Sequence, residues 1–81
     1  MQAPAIRNLL SDTFPGCEVV VSADGNHVDI TVIGEVFDGL RPVQRQQRVY
    51  AVLREAIASG VIHAVNMKTY TPAEWQASQN N

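Results

Sequence analysis

The sequence predicts a single small α+β domain with the element order α-β-β-α-β-α and a three-stranded mixed sheet, the helices lying mainly on one face. Three observations predict this fold. A long amphipathic segment occupies the middle of the chain, two valine-rich runs precede it on either side of Asp24-Gly25, and a third β-type run follows it. The 81 residues suffice for one hydrophobic core, and 46% hydrophobic residues is typical of a folded chain.

The central helix is predicted over residues 42–57. Pro42 suits the first helical turn, where a missing N–H costs nothing, and Gly60 suits the left-handed residue that often follows a helix. The apolar positions at helical spacing are expected to pack on the sheet: Val43, Tyr50, Leu53 and Ile57, with Val49 and Ala56 beside them.

A short helix is predicted over residues 3–13, and a turn at Pro15-Gly16 ends it. Residues 17–23 and 27–34 are predicted to form a β-hairpin around Asp24, Gly25 and Asn26. In its second strand the alternation predicts that one set of side chains faces the core: Val28, Ile30 and Val32.

A third strand is predicted over residues 61–70. A C-terminal helix begins at Thr71-Pro72-Ala73-Glu74, a pattern of cap residue, proline and acid that is typical of a helix start, and Trp75 is expected to pack against the domain. The domain is taken as residues 1–76, and residues 77–81 as a polar C-terminal tail.

The predicted topology follows from the connections. Two strands joined by a crossing helix in one sheet should run parallel, so the second and third strands are expected to be parallel. The hairpin makes the first and second strands antiparallel. One sheet face should then be covered by helices and the other partly open.

Composition excludes several classes of protein. A net charge of −2 and a pI of about 5.5 argue against binding nucleic acid by bulk charge. The single cysteine, Cys17, excludes an internal disulfide and fits a reducing compartment. The sequence shows no transmembrane run and no signal-peptide pattern, so a cytoplasmic protein without membrane attachment is expected.

Two histidines, His27 and His63, each begin a predicted strand. In parallel strands they would lie at the same end of the sheet, where two imidazoles could share a metal or a cluster. The alternative is structural: one is a solvent-facing loop residue and the other a hydrogen-bonded residue at a strand edge. The strand parity of His63, which matches Val65 and Met67, predicts a partly sheltered position at the rim of the core.

Three arginines of the central helix, Arg41, Arg45 and Arg48, lie at i, i+4 and i+7 and are predicted to follow one side of it. They are either a solvated helix face or a docking surface for phosphate or an acidic protein. Catalysis is not expected, because the sequence has no paired carboxylates in a recognisable motif, no nucleophile elbow and no phosphate-binding glycine loop.

The segments FDGL, RQQRVY and IHAVNMKTYTPAEW resemble the BolA family, in particular its IbaG-like branch, and the resemblance extends from the hairpin to Trp75. It implies a fold like the second class of KH domain. It also implies a non-enzymatic protein that pairs with a monothiol glutaredoxin, shares a [2Fe-2S] cluster with it, and holds no cofactor alone. Family members have also been described as transcription regulators, and a role in stress response is implied.

Carried over residue by residue, the resemblance matches the family's invariant histidine to His63 and the variable second ligand to His27. The family's Phe-x-Gly matches Phe37 and Gly39. The chain has glutamine where many relatives have a histidine between two arginines, as the IbaG-like branch does. It also lacks the GxxG loop that clamps nucleic-acid backbone in KH domains.

The sequence is therefore interpreted as an iron–sulfur adaptor. A [2Fe-2S] cluster needs four ligands, of which this chain offers at most two histidines, since Cys17 should lie at the opposite end of the sheet. The alternative is a small DNA-binding regulator that uses Arg41, Arg45 and Arg48 and binds weakly and with strong salt dependence. A third interpretation is a protein-interaction domain without metal.

Overall fold

A computed structural model describes residues 2–25 and 27–79, and it confirms the predicted order of elements. The elements are helix α1 (Ala3–Thr13), strands β1 (Glu18–Asp24) and β2 (His27–Ile33), helix α2 (Pro42–Ala58), strand β3 (Ala64–Tyr70) and helix α3 (Pro72–Gln79). A short 3-10 helix at Glu35–Phe37, absent from the predicted elements, joins β2 to the loop before α2.

The three strands form one mixed sheet in the order β1-β2-β3. Strand β1 runs antiparallel to β2, with Asp24 opposite His27 at the hairpin end. Strand β2 runs parallel to β3, with His27 opposite Ala64. Both predicted strand directions are confirmed; of the predicted turn, Gly25 has a positive φ of 62°, and Asn26 lies outside the described residues.

One face of the sheet is buried and the other is open. Alternate residues of β2 carry the buried face, since Val28, Ile30 and Val32 are at most 2% exposed whereas Asp29 is exposed. Helices α1 and α2 cover this face, which confirms that the helices lie mainly on one side. The core joins the following side chains: Ile6 and Leu10 of α1 and Phe14 just after it, Val28, Ile30 and Val32 of β2, Phe37 of the 3-10 helix, Val49, Leu53 and Ala56 of α2, and Ile62.

The buried face of α2 differs from the predicted one. Val43 is 57% exposed and Tyr50 is 44% exposed, so the prediction that both pack on the sheet is wrong. The buried residues of α2 are Arg45, Val49, Leu53 and Ala56. Arg45 thus lies on the inward face of α2, with Val49 and Leu53, whereas Val43 and Tyr50 lie on an exposed face.

Helix α2 ends in a Schellman motif, in which a left-handed residue redirects the chain. Gly60 has a φ of 82° and its N–H donates to the carbonyl of Ile57, while the N–H of Val61 donates to that of Ala56. The N–H of Ile62 also reaches the Ala56 carbonyl, at 3.2 Å. These bonds hold residues 61 and 62 to the helix, so β3 begins at Ala64 and the predicted strand start at Val61 is wrong.

The predicted start of α3 is confirmed. The Thr71 hydroxyl accepts from the N–H of Glu74, and the Glu74 carboxylate accepts from the N–H of Thr71, which is a capping box. Trp75 packs edge-on against Tyr70, with ring centroids 5.2 Å apart. The helix continues through 77–79, part of the predicted tail; residues 80 and 81 lie outside the described range.

Across residues 2–25 and 27–79, none of the three helices combines the length and the apolar character needed to cross a membrane.

The buried face of α2 can be tested by substitution. Leu53 is fully buried, so Leu53→Ala should lower the free energy of unfolding by about 2–5 kcal/mol, through lost burial and a residual cavity. Val43→Ala is the matched control on the exposed side of the same helix and should change it by no more than about 0.5 kcal/mol. Urea unfolding of both variants measures the difference. Equal costs would show that α2 is rotated from the orientation described.

Candidate functional site

The two histidines lie at the same end of the sheet, as predicted. His27 is the first residue of β2 and stands opposite Ala64, the first residue of β3. His63 directly precedes Ala64 in the chain. Parallel pairing therefore brings the two histidines to neighbouring strand starts at one end of the sheet.

Both histidine side chains face solvent. His63 is exposed, and the prediction of a partly sheltered position is wrong because the residue lies in the loop before β3, outside the strand alternation. Its Nε2 atom lies close to Gly60: a Cβ added to that glycine would be 3.6 Å from it. The glycine that ends α2 thus also leaves room for the imidazole.

His27 belongs to a small polar group on the open face of the sheet. Its Nε2 atom lies 3.6 Å from Oδ1 of Asp29, with both side chains more than half exposed. The same Oδ1 atom accepts a hydrogen bond of 3.2 Å from the side-chain amide of Asn66 on β3. Asp29 therefore connects the start of β2 to the start of β3 beside the candidate ligands.

Within residues 2–25 and 27–79, no three His, Cys, Asp or Glu side chains are grouped so as to hold a metal ion. A site here can only be completed by ligands from another molecule. For a [2Fe-2S] cluster, which needs four ligands, two exposed imidazoles at one sheet end fit half of the set.

Cys17 lies at the other end of the sheet. Glu18 pairs with Ile33, and the Cys17 sulfur lies against Gly34, where an added Cβ would clash with it. Burial raises the pKa of the Cys17 thiol, which disfavours the reactive thiolate. The geometry supports a structural role for Cys17, since the close packing needs a glycine at position 34.

The predicted arginine face is wrong at Arg45, which is only 8% exposed. Its Nε donates to the carbonyl of Leu40 at 3.0 Å, and its two terminal nitrogens donate to the two carboxylate oxygens of Glu74. The bidentate pair neutralises the buried guanidinium and fastens α3 to α2. Arg45 is therefore a buried, paired structural residue and does not belong to an exposed phosphate-binding face.

Arg41 and Arg48 are both exposed, but Arg45, which lies between them in the sequence and is the third arginine of the predicted face, is buried. Arg48 lines a shallow depression on the α1 side of α2, together with Thr13, Phe14 and Val52. Arg41 stands before the first turn of α2, where its N–H donates to the side chain of Gln44. The three predicted residues are thus divided between two exposed positions and one buried position.

An open groove of about 680 Å³ between α2 and β3 was not among the predicted sites. Its lining residues are Val43, Gln46, Gln47, Tyr50 and Arg54 of α2 and Val65, Asn66 and Met67 of β3. The sequence signal for it was present, because Val43 and Tyr50 lie seven residues apart beside polar residues. The groove was missed because both were assigned to the core.

Comparison with known proteins places these features in a family context. The BolA-like protein family model matches residues 8–74. Acid stress protein IbaG from Escherichia coli strain K12 is 47% identical over 75 residues, which cover 93% of this chain and 89% of that protein. A protein from the rpoN-murA intergenic region of Acinetobacter guillouiae is 41% identical over 94% of this chain and 92% of its own length.

Solved structures agree with the fold. BolA1 from Arabidopsis thaliana superposes with a TM-score of 0.79 at 28% identity, covering 89% of this chain and 93% of that one. A bolA protein homologue from Coxiella burnetii gives a TM-score of 0.78 at 27% identity, with 94% and 97% covered. The arrangement of three helices and a mixed sheet is therefore shared with these structures.

The Arg45–Glu74 pair predicts a pH-dependent stability. Hydrogen bonds from Arg45 and from the N–H of Thr71 lower the pKa of Glu74 from 4.5 to about 2. A carboxylate with a lowered pKa in the folded state stabilises the fold at higher pH, and this contribution is lost as pH falls through the folded value. Glu74→Gln should therefore lower the urea midpoint at pH 6, and the difference from the parent should shrink between pH 4.5 and 2.

The control for this measurement is Glu55→Gln, which removes an exposed carboxylate of α2 that forms no ion pair within the described residues. Its effect on the midpoint should be small and nearly constant over the same range. A Glu74→Gln difference that does not change with pH would contradict the assigned pair.

Proposed function

This chain belongs to the BolA-like family, and from that membership we propose that it is a non-enzymatic iron–sulfur adaptor that pairs with a monothiol glutaredoxin and co-ligates a [2Fe-2S] cluster with it. The observation that carries the proposal is the pair of exposed imidazoles, His27 and His63, on neighbouring parallel strand starts. The name of the relative from E. coli supports a role under acid stress. We place the protein in the cytoplasm, where the partner's thiols would stay reduced.

The donor set explains why a partner is needed. His63 and His27 supply at most two of the four ligands, and Cys17 is packed against Gly34 at the far end of the sheet. The remaining ligands must be thiolates from outside the chain. A cluster with imidazole in place of thiolate carries less negative charge and has a higher reduction potential.

The surroundings of the two histidines suit this role. The Schellman motif fixes the backbone just before His63, and Gly60 leaves the ring uncovered. A histidine that binds a metal through one ring nitrogen commonly donates a hydrogen bond from the other ring N–H to a carboxylate. Oδ1 of Asp29 lies 3.6 Å from Nε2 of His27, so a small side-chain movement would let Asp29 accept a hydrogen bond from Nε2 while Nδ1 binds the cluster.

The proposal predicts the visible absorption spectrum of the co-purified complex with a monothiol glutaredoxin. His63→Ala should abolish the mixed-ligand spectrum because it removes one cluster ligand, and His27→Ala should weaken or shift it. Both variants should keep the urea midpoint of the parent, because exposed imidazoles contribute little to the core.

Cys17→Ser is the matched control, since it changes a metal-binding residue type at the opposite end of the sheet with little change in volume. It should leave the mixed-ligand spectrum unchanged. If the complex has the same spectrum with and without the His63 imidazole, His63 is not a ligand and the adaptor proposal fails in this form.

The alternative function, a DNA-binding regulator, retains only part of its predicted surface. Arg41 and Arg48 are exposed, whereas Arg45 is committed to Glu74. Two phosphate contacts give a slope of about −2 in a plot of log affinity against log salt, compared with about −3 for three. We expect a duplex DNA titration to give weak binding with a slope no steeper than about −2. Tight, sequence-selective binding at physiological salt would favour the regulator.

A further inference from the structure

We propose that the groove between α2 and β3 binds an extended acidic segment of a partner protein, which adds to the sheet as a fourth strand beside β3. The groove is lined by the eight residues of α2 and β3 given above. The inference stands apart from the proposed cluster, because it uses neither histidine and no metal.

The first argument is the free backbone edge of β3. Among the described residues β3 pairs only with β2, so its other edge is unpaired. The carbonyl of Tyr70 accepts from the N–H of Gly34, at 2.9 Å, and therefore points towards β2. Since alternate residues of a parallel strand point to the same neighbour, the backbone groups of Val65, Met67 and Thr69 point to the free edge.

The second argument is that apolar side chains stand beside these free backbone groups. Val65 and Met67 are partly buried against the core and also line the groove. Val43 and Tyr50 of α2 form the opposite wall and are 57% and 44% exposed. An added strand would place alternate side chains between these walls, which is how strand addition gains specificity beyond its backbone hydrogen bonds.

The third argument is charge. The groove lining contains one cation, Arg54, and no acidic residue. The remaining polar positions are amides: Gln46 and Gln47 can donate to carboxylates and carbonyls alike, and Asn66 already donates to Asp29. On a chain with a net charge of −2, this is a local surface that favours an acidic occupant over a basic one.

A second copy of this chain fits the groove less well. Pairing of β3 with β3 would set one groove against another, and the lining offers no carboxylate to meet the two Arg54 side chains. Single-stranded nucleic acid could place a phosphate near Arg54, but it lacks the repeating N–H and C=O groups that would satisfy the strand edge. An extended protein segment satisfies the backbone edge, the apolar walls and the charge together.

The test uses a blocked nine-residue peptide of alternating valine and glutamate, and the same peptide with lysine for glutamate, added to isotope-labelled full-length protein. Amide hydrogen exchange at Val65, Met67 and Thr69 should slow at least about tenfold with the glutamate peptide, as their N–H groups enter a ladder. Affinity follows from amide chemical shifts, and the lysine peptide should bind about tenfold more weakly.

Arg54→Glu should weaken binding of the glutamate peptide about tenfold and improve binding of the lysine peptide. Arg7→Glu, the same charge change on the exposed face of α1, should leave both affinities unchanged within twofold. Unchanged exchange at the three amides with the glutamate peptide would overturn the proposal. So would equal affinity for the two peptides, or protection of the same amides by oligothymidylate or by self-association at high protein concentration.

Discussion

Parallel pairing of β2 with β3 is the constraint on which both the core and the candidate site depend. A strand that follows β2 in parallel must start at the same edge, so α2 has to carry the chain back across the sheet. That return places Val49 and Leu53 over the valines of β2 and closes the core. It also places His63 at the same end of the sheet as His27, while Cys17 lies at the opposite end. One topological requirement thus separates the two imidazoles of this chain from its one thiol.

The second organising feature is a buried cation. Arg45 occupies a position on α2 where an apolar residue would be expected, and its nitrogens donate to Leu40 and Glu74. Helix α3 has no buried residue of its own, so it is held by this pair, by the capping box at Thr71 and by contact of Trp75 with Tyr70. Glu74 is half exposed, so the pair adds little net stability by itself, but removing Glu74 would leave the buried charge of Arg45 unpaired. The pair therefore specifies where α3 lies.

Local signals predicted most of the fold. The bounds of α1, the alternation in β2, the glycine after α2 and the capping box of α3 each depend on neighbours within a few residues, which the sequence displays directly. The histidine pair was predictable for a related reason, because strand direction follows from the crossing helix. The family resemblance added which imidazole matters, and the comparisons confirmed the family.

The errors arose where long-range partners decide. Whether Arg45 faces solvent depends on Glu74, which is 29 residues away in the sequence. The spacing of residues within α2 does not indicate that contact. Val43 and Tyr50 fit an apolar helical stripe, yet the sheet beneath α2 is filled by Val49 and Leu53. Strand alternation predicted that His63 faces inward. The hydrogen bonds from residues 61 and 62 to Ala56 keep this segment at the end of α2, so the alternation starts only at Ala64. In each case tertiary packing overrode the local pattern.

The end of α2 has a consequence for how this chain tolerates insertions. The carbonyl of Ala56 accepts hydrogen bonds from two N–H groups of the following loop, and Ile62 is 1% exposed. The three residues before Ala64 are therefore held in one conformation. One added residue within α2 would turn everything beyond it by about 100° and advance it by about 1.5 Å. The imidazole of His63 would then move away from the end of the sheet where His27 also lies. The length of this helix therefore fixes where His63 lies relative to His27.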